Sequence, residues 1–328
     1  MSSEAVRKYN FESVDDRVKT VEALGLPMAA IERFLESREI RVPKKDENFV
    51  TRVVELLSDS QLESLIRQHK YAGRQTINYF IIKGISDYDI GDIREKIDSR
   101  LPGQELVSEI PKEPFLAEAE QISDRLYLAI GYYQNAGSED PVTGRKKDVQ
   151  ITKRTVVVIR DDFDLVEIRG SDTRMVEQVR DEVCKSIGKY KPSTKRQPNL
   201  GPEFQDRFND LVDYYFNLKV KVDDKDDETL DTIAFTSKED EDGNRRDARE
   251  SDRVKRELSE SGSEITMGYV ELSEGFRFRV NRDQAKLSFV KSEREENLVQ
   301  VTDLVHNVLK QVGEYSQGQI SGINDVPE

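Results

Sequence analysis

The run Thr155-Val156-Val157-Val158-Ile159 is the segment that most narrows the folds open to this chain. Five consecutive β-branched residues disfavour a helix and suit a pleated, buried surface. A turn at Asp161–Asp164 separates this run from Leu165-Val166-Glu167-Ile168-Arg169, which Gly170 ends. Asp172 or Thr173 then starts a helix with Met175, Val176, Val179, Val183 and Ile187 at helical spacing. A similar order returns near the C-terminus. Tyr269–Leu272, Phe276–Val280 and Ala285–Val290 read as strands. Glu293–Val312 reads as a long helix with Leu298, Val301, Leu304, Val305, Val308 and Leu309 on one face. The two helices end near Gly188 and Gly313. The reading is an internal duplication of a strand–turn–strand–helix unit, the alternative being chance recurrence of a common motif.

Before these blocks the apolar period is helical. Val14, Val18, Val21 and Leu24 form one stripe, and Gly25 with Pro27 ends it. Further helices carry Ile31, Phe34 and Leu35; Val50, Val53, Val54 and Leu57; and Leu62, Leu65 and Ile66. A fifth helix is expected over Arg74–Lys83 and a sixth over roughly Asp89–Leu101. Pro102, Gly103, Pro111 and Pro114 mark a boundary. The expected fold is α+β: an all-α domain over residues 1–101, then a β-rich region of two related units, 115–198 and 199–317. Residues 237–262, nearly free of apolar side chains, read as a charged, mobile, dispensable loop, with a charged helix within it as an alternative, and 318–328 as a frayed tail.

Composition removes several chemistries. Asp+Glu is 65 against Lys+Arg 51, so the net charge is -14. One cysteine, Cys184, excludes a disulfide framework and a cysteine-rich zinc site, and it reads as a small core residue. No run approaches the ~18 apolar residues of a membrane span, and the start MSSEAVRKYNFESVDD lacks a signal-peptide core. The expectation is a cytoplasmic protein without a membrane partner. Acids spread along the whole chain also fit a salt-tolerant cell such as a halophilic archaeon, the alternative being an ordinary acidic protein.

No P-loop, Rossmann fingerprint, GxSxG or HExxH is present. The two histidines, His69 and His306, read as surface or boundary residues, so no catalytic or metal-ligating set and no cofactor is expected. Lys238 and Arg249 stand where a calcium loop aligned on Gly243 would need acids. Against the acidic background, basic residues gather in islands. One holds Arg145, Lys146, Lys147, Lys153 and Arg154; the other holds Lys189, Lys191, Lys195 and Arg196, with Tyr190 interleaved. Such islands suit an anionic partner, since Lys and Arg gain affinity by releasing counterions. Arg74, Gln75 and Asn78, at the start of the fifth helix, form a secondary candidate able to hydrogen-bond bases or phosphates.

The segment Arg154-Thr155-Val156-Val157-Val158-Ile159, followed by Val166-Glu167-Ile168-Arg169-Gly170 and a helix over Thr173–Ile187, resembles the centromere protein N family. That family joins a helical N-domain of death-fold type to a β-rich domain that binds a sister protein. The duplication also resembles the two-repeat saddle of TATA-binding proteins, without matching base-inserting phenylalanine pairs. Neither resemblance assigns a functional residue here. The expected function is non-enzymatic nucleic-acid binding through the basic islands. A protein–protein adaptor, with a protein partner in place of nucleic acid, is the second reading, and a carboxylate-dependent metal nuclease the third.

Overall fold

The computed structural model describes residues 11–24, 26, 28–42, 48–72, 76–101, 114–139, 146–160, 163–189, 195–221, 232–238, 246–260, 263–272, 275–291 and 293–313. The chain divides into two compact units, Met1–Gln75 with Phe289–Thr302, and Thr76–Ser288 with Asp303–Glu328.

The first unit is helical. Helices α1 (Val14–Ala23), α2 (Met28–Glu36), α3 (Phe49–Leu56) and α4 (Asp59–His69) bury Val21, Ile31, Phe34, Leu35, Val53, Val54, Leu62, Leu65 and Ile66 in one core. Burial of each such side chain contributes about 1.5–3 kcal/mol before entropy is counted. The N-termini of α1 and α4 are capped by side chains. Ser13 accepts from the Asp16 amide at 3.2 Å, and Ser58 with Gln61 forms a reciprocal capping box on α4. Arg17 donates to the carbonyls of Val54 (3.1 Å) and Leu57 (3.3 Å), groups that the end of α3 leaves without helical partners, and pairs with Asp59. His69, expected at the surface or at its boundary, is buried. Burial, then Arg294 and Arg33, lower its pKa to about 4.

The second unit corrects the expected helical stretch at Arg74–Lys83. Thr76–Ile82 is a strand, β1, and the helix-only part of the chain stops before it. Its sequence, TINYFII, is apolar without a period, so spacing could not separate a buried strand from a buried helix; the β-branched and aromatic content decides. The remaining elements are α5 (Ile90–Arg100), β2 (Phe115–Ile122), β3 (Arg125–Glu139), β4 (Lys146–Arg160), β5 (Leu165–Arg169), α6 (Thr173–Ser186), β6 (Lys195–Arg196) and α7 (Pro202–Asn209). They are followed by β7 (Tyr214–Lys221), β8 (Thr232–Thr236), α8 (Asp252–Glu260), β9 (Glu264–Glu271), β10 (Arg277–Asn281), β11 (Lys286–Phe289) and α9 (Glu295–Gln311).

Among the described residues eleven strands form one sheet in the order β2-β3-β4-β5-β1-β11-β10-β9-β7-β8, with β6 also against β1. The sequence unit of strand, turn, strand and helix does occur twice, as β4-β5-α6 and β10-β11-α9. The repeat is longer than the sequence suggested. The order β1-α5-β2-β3-β4-β5-α6 returns as β6-α7-β7-β9-β10-β11-α9, with β8 and α8 inserted after β7. Both β5 and β11 pair antiparallel with β1, which therefore lies at the centre of the arrangement. Gly188 and Gly313, which follow α6 and α9, have φ of +76° and +74°. The Lys189 amide closes α6 on the Cys184 carbonyl at 2.8 Å, a left-handed termination that glycine permits.

The two halves of the sheet differ in burial. β5 is buried at every position, and β1 at every position after Thr76. Phe80, Ile82, Leu128, Ile130, Val157, Ile159, Val166 and Ile168 pack with Ile93 and Ile97 of α5 and Val179 and Val183 of α6. Cys184 belongs to the same core, as its helical position predicts. In the other half the strands alternate. Leu218, Val220, Val270, Phe278 and Val280 are buried, while Lys219, Lys221, Arg277 and Arg279 are exposed. One face of that half is therefore in water.

Candidate nucleic-acid interface

The solvated face is assembled by register. On β9, Glu271 stands between Tyr214 of β7 and Arg277 of β10; Tyr269 stands between Asn217 and Arg279; Met267 stands between Lys219 and Asn281. Directly paired residues project to the same side, so these positions share one face. After a second register shift Lys221 pairs with the exposed Glu264 of β9, so both continue the face, and β8 brings Thr232, Ala234 and Thr236 opposite Lys221, Lys219 and Asn217. A register shift between Tyr215 and Asn217 places Phe216 in a bulge. Its ring lies 6.5 Å from that of Tyr214 and 5.7 Å from that of Tyr269, with the Arg277 guanidinium 4.7 Å above it. Arg277 also pairs with Glu271. Lys219, Lys221 and Arg279 form no ion pair among the described residues and are exposed. The face thus combines three such cations with a patch of three rings, of which Tyr214 is 44% exposed.

The opposite side of these strands is packed. Phe204 and Phe208 of α7 stack at 5.3 Å, and Phe208 meets Phe278 edge-on at 6.4 Å. Tyr215 is buried, which raises its pKa, and its hydroxyl donates to Asn209 Oδ1 at 2.8 Å. Residues 246–260, the larger described part of the segment expected to be a dispensable loop, are anchored here and include the helix α8. Arg249 donates to the carbonyls of Asn209 (2.7 Å), Val212 (2.9 Å) and Asp213 (3.2 Å) and to Asp247, while Ala248 and Val254 are buried. Its sparse apolar residues are the ones that pack, and a single guanidinium satisfies the chain turn before β7.

The sequence-selected basic residues are dispersed. Lys153 and Arg154 are exposed neighbours on β4, so they project to opposite faces; Arg154 lies 3.8 Å from Glu118. Lys189 is half-buried with its ammonium 5.2 Å from the Tyr88 ring. Lys146 and Lys147 are placed on β4, paired with Glu139 and Ser138, and Lys195 and Arg196 on β6, paired with Ile82 and Ile81. Arg145 and Lys191, like Arg74 and Gln75, lie outside the described residues. Asn78 is corrected: it is a strand residue, 4% exposed, and its amide donates to the carbonyls of Ile168 (3.0 Å) and Gly170 (2.8 Å). Those two bonds tie β1 to β5 and the residue after it, and burial keeps the side chain of Asn78 away from a base.

A second polar cluster lies within the second unit. Arg125 donates to Asp303 at 2.7 and 3.0 Å, Arg160 pairs with the same carboxylate, and Arg160 and Arg169 flank buried Glu167 at 3.8 and 3.4 Å. His306, likewise expected at the surface or its boundary, is buried, and its pKa is driven far down by burial, then by Arg160, Lys310 and Arg125. A neutral imidazole among cations is held as a packing group, in contact with the ring of Phe163. Among the described residues no group of three or more His, Cys, Asp and Glu is placed to hold a metal ion, and no helix is long and apolar enough to cross a membrane.

No protein-family model and no curated protein matches this chain.

Proposed function

We propose that the protein binds nucleic acid on the solvated face of the β7-β9-β10 half-sheet. The observation that carries this reading is the coincidence, on one face of a chain of net charge -14, of Lys219, Lys221 and Arg279 with the Tyr214, Phe216 and Tyr269 rings. Cations neutralise phosphates and rings receive bases; a face made only for solubility needs no aromatic patch. The basic islands of the sequence do not join this face: Lys146, Lys147, Lys153 and Arg154 are on β4, which β5, β1 and β11 separate from β10. Anisotropy of a labelled nucleic acid at ~0.1 M salt tests the reading. The wild-type chain is expected to bind, and the triple variant K219A/K221A/R279A to lose at least tenfold in affinity. Equal affinity of the two proteins contradicts it.

A second reading, a protein–protein adaptor, is favoured by one observation. β8 ends the sheet with the charge-free sequence TIAFT, whereas the other terminal strand, β2, carries Glu118 and Glu120 and a register shift. An edge without charged or irregular residues is a template for an added strand.

A further inference from the structure

Resting on the reading above, we infer that the nucleic acid accepted by this face is single-stranded. The inference comes from the shape of the face and the position of its rings. Phe216 is buried in the bulge, with Arg277 over it and Glu271 fixing that guanidinium. It forms the floor on which Tyr214 and Tyr269 stand, the first well exposed and the second half-exposed. The rings of Tyr214 and Phe216 lie within 26° of parallel with centroids 6.5 Å apart, and the exposed Tyr214 ring offers a planar surface against which a base can lie. Arg279 stands directly across from Tyr269, ~5 Å away, and Lys219 lies on the diagonal from Tyr269, ~7 Å along β7 from Asn217 and opposite Met267.

A duplex cannot use this arrangement. Its bases are stacked inside, and its major groove admits a helix or a two-stranded ribbon, not the broad face of a four-stranded sheet. Against a duplex the cations would meet phosphates, but the tyrosines would meet the sugar-phosphate ridge and gain nothing. A single strand exposes its base faces, lies across an open sheet and places its phosphates at the margin of the rings. Stacking is also little screened by salt, so the rings retain affinity where the cations lose theirs.

The test uses the full chain with a labelled oligothymidylate of about twelve nucleotides, and a labelled duplex of the same length. The single strand is expected to bind at least tenfold more tightly. Tyr214→Ala should weaken single-strand binding by roughly five- to hundredfold and leave duplex binding unchanged. The double variant Y214F/Y269F, which keeps the rings and the fold, should bind like wild type. Circular dichroism confirms that each variant is folded. Equal affinity for the two probes, or a Tyr214→Ala variant that binds the single strand normally, overturns the single-strand inference while leaving nucleic-acid binding in place. Absence of binding to both probes overturns the functional reading itself.

Discussion

The ring of Tyr215 fills the space that a β-carbon on Gly268 would occupy. Gly268 is the middle residue of β9, between Met267 and Tyr269 of the solvated face. The absence of a side chain at Gly268 gives the buried ring of Tyr215 its place against β9. Gly268→Ala should therefore cost about 1–3 kcal/mol, the range for overpacking a filled site. Urea unfolding measures it; an unchanged midpoint would show that Tyr215 moves aside freely.

Asp303 is the shared acceptor of two cations with little access to water, Arg125 and Arg160. Asp303→Asn removes the charge and retains the shape. Breaking a fully buried pair costs about 3–5 kcal/mol. Asp303 is 38% exposed, so solvent screens part of that and about 2 kcal/mol is expected. A variant as stable as wild type would make Glu167 the sufficient counter-charge.

The lowered pKa of His69 sets a pH dependence. Above pH 6.5 the imidazole is neutral in both the folded and the unfolded chain and adds no slope. Between 6.5 and about 4 the unfolded chain takes a proton that the folded chain refuses, so stability falls as pH falls. Below about 4 both states are protonated and the slope ends. His69→Leu should flatten the stability profile in that window by at most about 3 kcal/mol, measured by urea unfolding at several pH values. An unaltered profile would place the acid sensitivity elsewhere.

Arg249 joins the segment after β8 to the start of β7 through three carbonyls. Arg249→Ala should leave those carbonyls without their donor and expose the segment to protease. Limited proteolysis is expected to cut within residues 246–260 in the variant and to spare them in wild type. Equal cutting in both would show that Ala248 and Val254 suffice to hold it.

The parts of the fold legible in the sequence were those with a local signature. Thr155–Ile159 could only be a strand, and Val176, Val179 and Val183 could only line a helix. β1, buried on both faces, has no alternation to read, and Asn78, Tyr79 and Phe80 interrupt the β-branched run that marks Thr155–Ile159. The solvated face was lost for a different reason. Lys219 and Lys221 are separated by Val220, and Arg277 and Arg279 by Phe278, so neither pair forms a run. Counting adjacent charges favoured Lys146-Lys147 and Lys195-Arg196 instead. The alternation of basic with buried residues was visible on each strand. That β9 brings the two strands together was not, because register between distant strands depends on the whole sheet.

The salt dependence of binding tests the central claim most directly. Each neutralised phosphate on a single strand contributes about -0.7 to the slope of log affinity against log salt. If Lys219, Lys221 and Arg279 each meet a phosphate, K219A/K221A/R279A should have a slope shallower than wild type by about 2. Tyr214→Ala, in contrast, should lower affinity without changing the slope. Parallel wild-type and triple-variant lines would contradict the account, because the cations of this face would then touch no phosphate.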